Sequence, residues 1–221
     1  MMRRGFILKD RQLVARDTSE LVLATADSRP FAFTAGQNVE VIISEPLYRD
    51  ESGNRRTFSI AKAPGFNEIH LAFRHSGSAW KRSALTMPLG SKFEIKGPSG
   101  VFTLPDDTTQ SLTFIAGGIG ITPFRSMIQS LGASKPPITL FYANRDEATA
   151  AYLDELRAAR DKKIINLVEH YGPLASNLQL PTANLYYIAG PITMTNIAME
   201  ALGRAGVPRG AILIEQFTGY E

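Results

Sequence analysis

From residue 6 to about residue 104 the chain runs in short apolar or alternating segments, at 12–16, 21–25, 38–43, 56–61, 68–73 and 91–95. Turn-forming stretches separate them: Ser28-Arg29-Pro30, Ala35-Gly36-Gln37, Glu51-Ser52-Gly53-Asn54 and Pro64-Gly65. Six strands at this spacing predict a small antiparallel barrel or sandwich, with one helical segment over 78–85. After Gly97-Pro98-Ser99-Gly100 and Leu104-Pro105-Asp106-Asp107 the texture changes. Apolar runs at 112–116, 138–143, 164–169, 185–189 and 211–215 now alternate with helix-period segments at 123–131, 148–160 and 192–205. Runs buried on both faces, alternating with helices, predict a doubly wound parallel sheet. The expectation is therefore two domains: a small antiparallel β-barrel over 1–105, then an α/β doubly wound parallel sheet over 106–221. At 221 residues the chain is long enough for two such cores.

Composition narrows the chemistry. Hydrophobic residues at 44% and charged residues at 20% belong to an ordinary globular protein. The net charge is only +3, and the Lys and Arg residues are scattered, which argues against a nucleic-acid partner. There are no cysteines, so disulfides, thiolate nucleophiles and cysteine-held metals are excluded; redox chemistry here would need an organic cofactor, and no metal site is expected. The apolar run at 6–8 is broken by Lys9, Asp10 and Arg11, unlike a signal peptide, and no segment approaches a membrane span. A cytoplasmic location is expected.

Two stretches carry candidate chemistry. In Arg56-Thr57-Phe58-Ser59, strand alternation puts Arg56 and Phe58 on one face, Thr57 and Ser59 on the other. An arginine fork suits phosphate, a phenyl ring offers a stacking surface, and a small hydroxyl can reach a ring nitrogen. A flavin nucleotide has all three needs, although an ordinary half-buried strand would also accommodate these residues. The second stretch is Gly117-Gly118-Ile119-Gly120-Ile121-Thr122-Pro123, where the first buried strand meets the first helix. Glycines there allow close backbone approach, and a helix N-terminus offers amide donors to a pyrophosphate. Ala189-Gly190-Pro191 closes another buried strand and starts a helix carrying Met194, so two glycine-bearing strand ends would share one rim.

Taken in order, Gly36-Gln37, Arg56-Thr57-Phe58-Ser59, the Gly97-Pro98-Ser99-Gly100-Val101-Phe102 segment, Gly117 to Pro123, and Ala189-Gly190-Pro191 with Met194 resemble the ferredoxin–NADP reductase superfamily. The resemblance covers residues 6–220 and implies an FAD-binding barrel followed by an NAD(P)H-binding domain. By position, Arg56 would contact the flavin phosphates, Phe58 would lie against the isoalloxazine, and Ser59 would hydrogen-bond near N5, with Thr57 beside them. Ala72, Phe73 and Arg74 would meet the pyrimidine edge. Ser76, Ser78, Ala79 and Trp80 would form a small-residue turn for pyrophosphate, although Trp80 also suits a core position. Gly118, Gly120, Ile121, Thr122 and Pro123 would approach the nicotinamide dinucleotide, with Gly190, Pro191 and Met194 across the crevice. At Asn144 and Arg145, either the arginine takes a 2′-phosphate or an acidic neighbour takes the ribose hydroxyls; the arginine tilts the balance toward NADPH. Glu215 would follow the last strand, with Phe217 or Tyr220 covering the flavin. Ser59 and Glu215 are the expected catalytic pair. Ala189 stands where many relatives carry cysteine, a departure expected to affect rate or specificity more than reaction type. The resemblance implies a monomeric reductase, passing electrons from NAD(P)H through FAD to a separate protein or small acceptor. The alternatives are a general NAD(P)H:quinone or ferric-chelate reductase, and a non-catalytic flavin- or nucleotide-binding subunit.

Overall fold

The computed structural model describes residues 3–107, 109–132, 135–175 and 178–217. The first half forms six antiparallel strands: β1 (Arg3–Ala15), β2 (Thr18–Thr25), β3 (Asn38–Ile42), β4 (Arg55–Ser59), β5 (Glu68–Arg74) and β6 (Lys92–Ser99). They pair in the order β4-β3-β6-β1-β2-β5. The sheet curls until its two edges meet, where the Ala61 amide donates to the His70 carbonyl at 2.8 Å and Phe58 of β4 faces Phe73 of β5. Inward residues Phe6, Leu8, Leu21, Leu23, Val39, Val41, Ile69, Leu71 and Ile95 fill the interior. One helix, α1 (Ala79–Thr86), follows β5, and Ser78 caps it by accepting from the Lys81 amide.

The second half is a five-stranded parallel sheet: β7 (Leu112–Gly117), β8 (Ile138–Asn144), β9 (Asn166–Tyr171), β10 (Leu185–Pro191) and β11 (Ile212–Phe217). The strand order is β11-β10-β7-β8-β9. Helices α2 (Ile121–Gln129) and α3 (Leu153–Asp161) cover one face, through Phe124, Met127, Leu153 and Leu156. Helix α4 (Ile192–Arg204) covers the other, through Ala198 and Leu202. The winding direction changes between β7 and β10, so their carboxyl ends flank the crevice where such sheets take ligands. The cluster under α2 extends into the barrel half through Ala35, Ala72 and Phe102.

The architecture matches the expected two-part plan, with shifted element ends. Strand β1 begins at Arg3, well before residue 12, because it pairs with β6 over Arg3–Ile7 and with β2 over Phe6–Ala15. Helix α3 begins at Leu153 and not at residue 148. Asp146 accepts from the Thr149 amide and caps a short 3-10 turn over Glu147–Thr149, and Tyr152 then adopts φ +59° before the helix starts. No helix among the described residues is long and apolar enough to cross a membrane.

Candidate functional site

A cleft of about 720 Å³ opens between the barrel and the parallel sheet, a size suited to a nucleotide cofactor. From the barrel it is lined by Asn38, Arg56, Thr57, Phe58, Ser59, Ala72, Ser76, Ser78 and Lys81. From the parallel sheet it is lined by Ile119, Thr122, Glu215, Gln216 and Phe217. Strand β4 is an edge strand, so its residues reach the cleft without a further strand in the way.

Within the cleft lining Ser59 and Glu215 meet. These residues are 156 positions apart in the chain, yet the Ser59 hydroxyl donates to Glu215 Oε2 at 3.0 Å. The other carboxylate oxygen accepts from Asn38 Nδ2 at 3.2 Å, and Asn38 Oδ1 in turn accepts from the Ser99 hydroxyl at 2.9 Å. Burial pushes the Glu215 carboxyl above the ordinary value of 4.5, opposed by the donors Ser59 and Asn38. A carboxyl whose protonated form burial favours, beside a hydroxyl, can hold or pass a proton. Because the native pKa exceeds the unfolded one, Glu215 contributes stability below about pH 4.5 that is lost as pH rises through the native value. The Glu215→Gln variant should therefore gain urea resistance relative to the parent as pH rises from 4 to 8. A difference independent of pH would rule out the strained carboxylate.

Cations also line the cleft. Lys81, 5% exposed, lines it, and its ammonium is pushed down to about 8 by burial, with Arg56 and Arg74 nearby. The Arg56 guanidinium donates to the Ser52 carbonyl at 2.9 Å and lies 3.9 Å from the Asp50 carboxylate. Asp50 also accepts from the Ala79 amide at 2.7 Å, at the start of α1. A carboxylate thus already bridges the Arg56 guanidinium and a helix N-terminus, the donor set that suits a phosphate. Lysine 81 and Asn38 escaped the sequence reading, because a lysine in a helical segment and an asparagine opening a strand look solvent-facing until their neighbours are known.

The aromatic residues divide. Phe58 lines the cleft but packs its ring on Trp80 at 4.9 Å and Phe73 at 5.9 Å. Trp80 is 1% exposed and Phe73 fully buried, so neither offers a ring face to a cofactor, and Ala79 is buried with them. Trp80 thus takes the core position that its sequence context also suited, and does not face the cleft with the small residues of the turn. Tyr220 lies outside the described residues, whereas Phe217 ends β11 and lines the cleft.

Across the cleft, the Gly117–Pro123 turn passes from β7 through a 3-10 turn into α2. Gly120 is pressed against the end of β10: a Cβ there would stand 2.1 Å from the Ala189 carbonyl oxygen. Met194 lies over both Gly117 and Gly190, and Pro191 leads from β10 into α4. Arg74 reaches from β5 to Gly118. Ile121 and Pro123 are buried in the first turn of α2, and the Thr122 hydroxyl donates to the Ile119 carbonyl at 3.1 Å. Asn144 ends β8 with both amide atoms buried and without a well-formed hydrogen bond; the Tyr142 hydroxyl donates instead to the Ala151 carbonyl at 3.2 Å.

Residues 114–175 match the oxidoreductase NAD-binding domain family. Over 90% of its length the chain is 32% identical to ferredoxin–NADP reductase B of Sorangium cellulosum (strain So ce56), and it covers 91% of that protein. The chain belongs to the ferredoxin–NADP reductase superfamily. It is also 35% identical, over 66% of its length, to the phenoxybenzoate dioxygenase subunit beta of Ectopseudomonas oleovorans, of which it covers 45%. The chain thus spans about half the length of that larger relative. In fold it superposes, at a TM-score of 0.82 and 18% identity, on the flavohem-like FAD/NAD-binding domain of nitric oxide dioxygenase from Vibrio cholerae O1 biovar El Tor. That overlap takes in 97% of this chain and 98% of the other. The superfamily's two-part plan is what brings the Ser59 and Glu215 ends together.

Proposed function

We propose that this protein is an FAD-dependent NAD(P)H oxidoreductase of the ferredoxin reductase type that passes electrons to a separate acceptor. The observation that carries the proposal is the Ser59–Glu215 contact, a polar pair made between the barrel and the parallel sheet in the wall of a cleft that Arg56 and Lys81 also line. Bound FAD would supply the means to accept a hydride from reduced nicotinamide and release the electrons to the acceptor. The residues present fit that cofactor. Arg56, Lys81 and the first amides of α1 would hold its phosphates. Phe58, Ala72 and Phe217 would bound its ring, while Ser59 and Glu215 would orient N5 and hold or move a proton there. Thr57, Arg74, Ser76 and Ser78 would complete the flavin cradle. Gly118, Gly120, Thr122, Gly190, Pro191 and Met194 would form the nicotinamide crevice. The division of labour falls at about residue 105, and the molecule acts as a cytoplasmic monomer.

Charge around β8 favours NADPH. Asp146 is taken up by Arg16 and by its capping role, and Glu147 accepts from Arg157 at 2.5 Å. Arg145 is exposed beside them, and no ion pair holds it among the described residues. A 2′-phosphate would meet that exposed guanidinium, whereas Asp146 and Glu147, the carboxylates beside it, already pair with Arg16 and Arg157. Anaerobic titration of the flavin-loaded protein should bleach the yellow absorbance with either nucleotide, at roughly tenfold lower NADPH than NADH, one charge-assisted contact. Arg145→Ala should erase that preference. Equal affinity in the parent protein would assign it to NADH as readily, and protein that binds no flavin would favour a nucleotide-binding subunit.

A further inference from the structure

Three side chains of α2 reach from the parallel-sheet half to one short segment of the barrel. Arg125 Nη1 donates to the Ala61 carbonyl at 2.8 Å, and Ser126 Oγ donates to the Lys62 carbonyl at 2.7 Å. Gln129 Oε1 accepts from the Ala63 amide at 3.1 Å. Residues 61–63 follow β4, so this joint begins two residues beyond Ser59. At its other end α2 grows directly out of the Gly118–Gly120 turn. A nine-residue helix is a short rigid rod, and a displacement at the joint is carried to its first turn.

Arg125 is held from several sides. Its Nε donates to Glu155 at 2.9 Å, its Nη1 lies 3.4 Å from Glu20, and its guanidinium sits 4.2 Å from the centre of the Tyr152 ring. Glu20, on β2, is 1% exposed; it also accepts from the Tyr152 hydroxyl at 2.7 Å and from Gln12 at 2.8 Å, with His70 Nδ1 at 3.0 Å. Tyr152 meets both partners from a left-handed backbone conformation, which side chains adopt only where their surroundings enforce it. A buried carboxylate tolerates few arrangements of its cation, so the pair selects one seat for α2 on the barrel. Glu20, Arg125 and Tyr152 do not line the cleft.

We propose that Arg125 is a positioning residue for transfer between nicotinamide and flavin. By seating α2 on the Ala61 carbonyl and the Glu20 carboxylate, it sets the separation between the turn that would carry the dinucleotide and the strand that would carry the flavin. The role rests on the function proposed above. Transfer requires reacting atoms about 3–3.5 Å apart, so a small displacement of the rod lowers rate more than affinity.

The test uses the full chain loaded with FAD and the variant Arg125→Lys. Lysine keeps a cation for Glu20 but lacks the planar fork that serves Ala61, Glu20 and Glu155 together. At saturating NADPH without oxygen, stopped-flow flavin reduction should slow roughly tenfold, with half-saturation and flavin content unchanged. Amide hydrogen exchange over 61–63 should quicken, while exchange in β1 stays as it was. A parent-like rate in Arg125→Lys would overturn the positioning role, as would a slower rate without faster exchange over 61–63. Arg125→Ala should act in the same direction, and if it fails to fold the lysine variant decides. Parent protein that holds flavin, is bleached by dithionite and stays oxidised with both nucleotides would overturn the proposed function itself, and the positioning role with it.

Discussion

Replacing Ser59 with alanine is expected to slow flavin reduction by NADPH about ten- to a hundredfold, equivalent to about 1.4 to 2.8 kcal/mol of lost transition-state stabilisation. The hydroxyl is buried and donates to Glu215, so alanine removes the group nearest the proposed N5 position and leaves one carboxylate oxygen without its donor. Both effects act on the same atom pair. With Ser59 gone, Glu215 keeps only Asn38 against the burial that already raises its pKa, so the carboxyl shifts further toward its protonated form. The loss should therefore appear in the rate at saturating nucleotide and be steepest where the carboxylate form is needed. Flavin content should change little, since the proposed phosphate contacts at Arg56, Lys81 and the α1 terminus do not involve the Ser59 hydroxyl. Single-turnover stopped flow reads the step directly, and an unchanged rate would remove Ser59 from the mechanism.

Gly120→Ala should do greater damage, to the fold itself. The added Cβ would stand 2.1 Å from the Ala189 oxygen, 2.5 Å from its carbonyl carbon and 2.8 Å from Gly190 Cα. All three atoms are backbone, in the strand beside β7, so no rotamer change relieves the overlap. Overpacking of a core commonly destabilises by about 1–3 kcal/mol, and backbone against backbone belongs at or above the upper end. The same contact shapes the crevice, so nicotinamide affinity should fall even where the variant folds. Gly203→Ala provides the contrast: nothing lies within 4 Å of its Cβ position, and alanine favours the helix by up to about 1 kcal/mol. Urea midpoints for the two variants should move in opposite directions; a Gly120→Ala protein with the parent midpoint would contradict the close approach of α2's first turn to β10.

Much of this architecture was legible because each half obeys a simple periodicity. Short runs between turns gave six strands, and buried runs between helical segments gave the parallel sheet, since burial on one face or two leaves different patterns. The start of β1 was hidden by Arg3, Arg4, Lys9 and Asp10, whose charges tolerate a strand that meets solvent on one side. The start of α3 was legible in principle: Asp146 and Thr149 carry the spacing of a capping interaction, but the apolar pattern through Ala148–Ala151 reads as helix. Three of the missed residues share a physical cause. Glu20, Lys81 and Arg125 are charged, and charge reads as surface unless its partner is known. The partner of Glu20 in α2 lies 105 positions away. No local pattern encodes such a meeting; only the closed structure does.

The apolar cluster that runs from α2 to Ala35, Ala72 and Phe102 has a consequence for how the molecule comes apart. Neither half can melt without stripping water-excluding contacts from the other, so barrel and parallel sheet should denature in one cooperative event. A nucleotide that binds one half would raise the melting temperature of both.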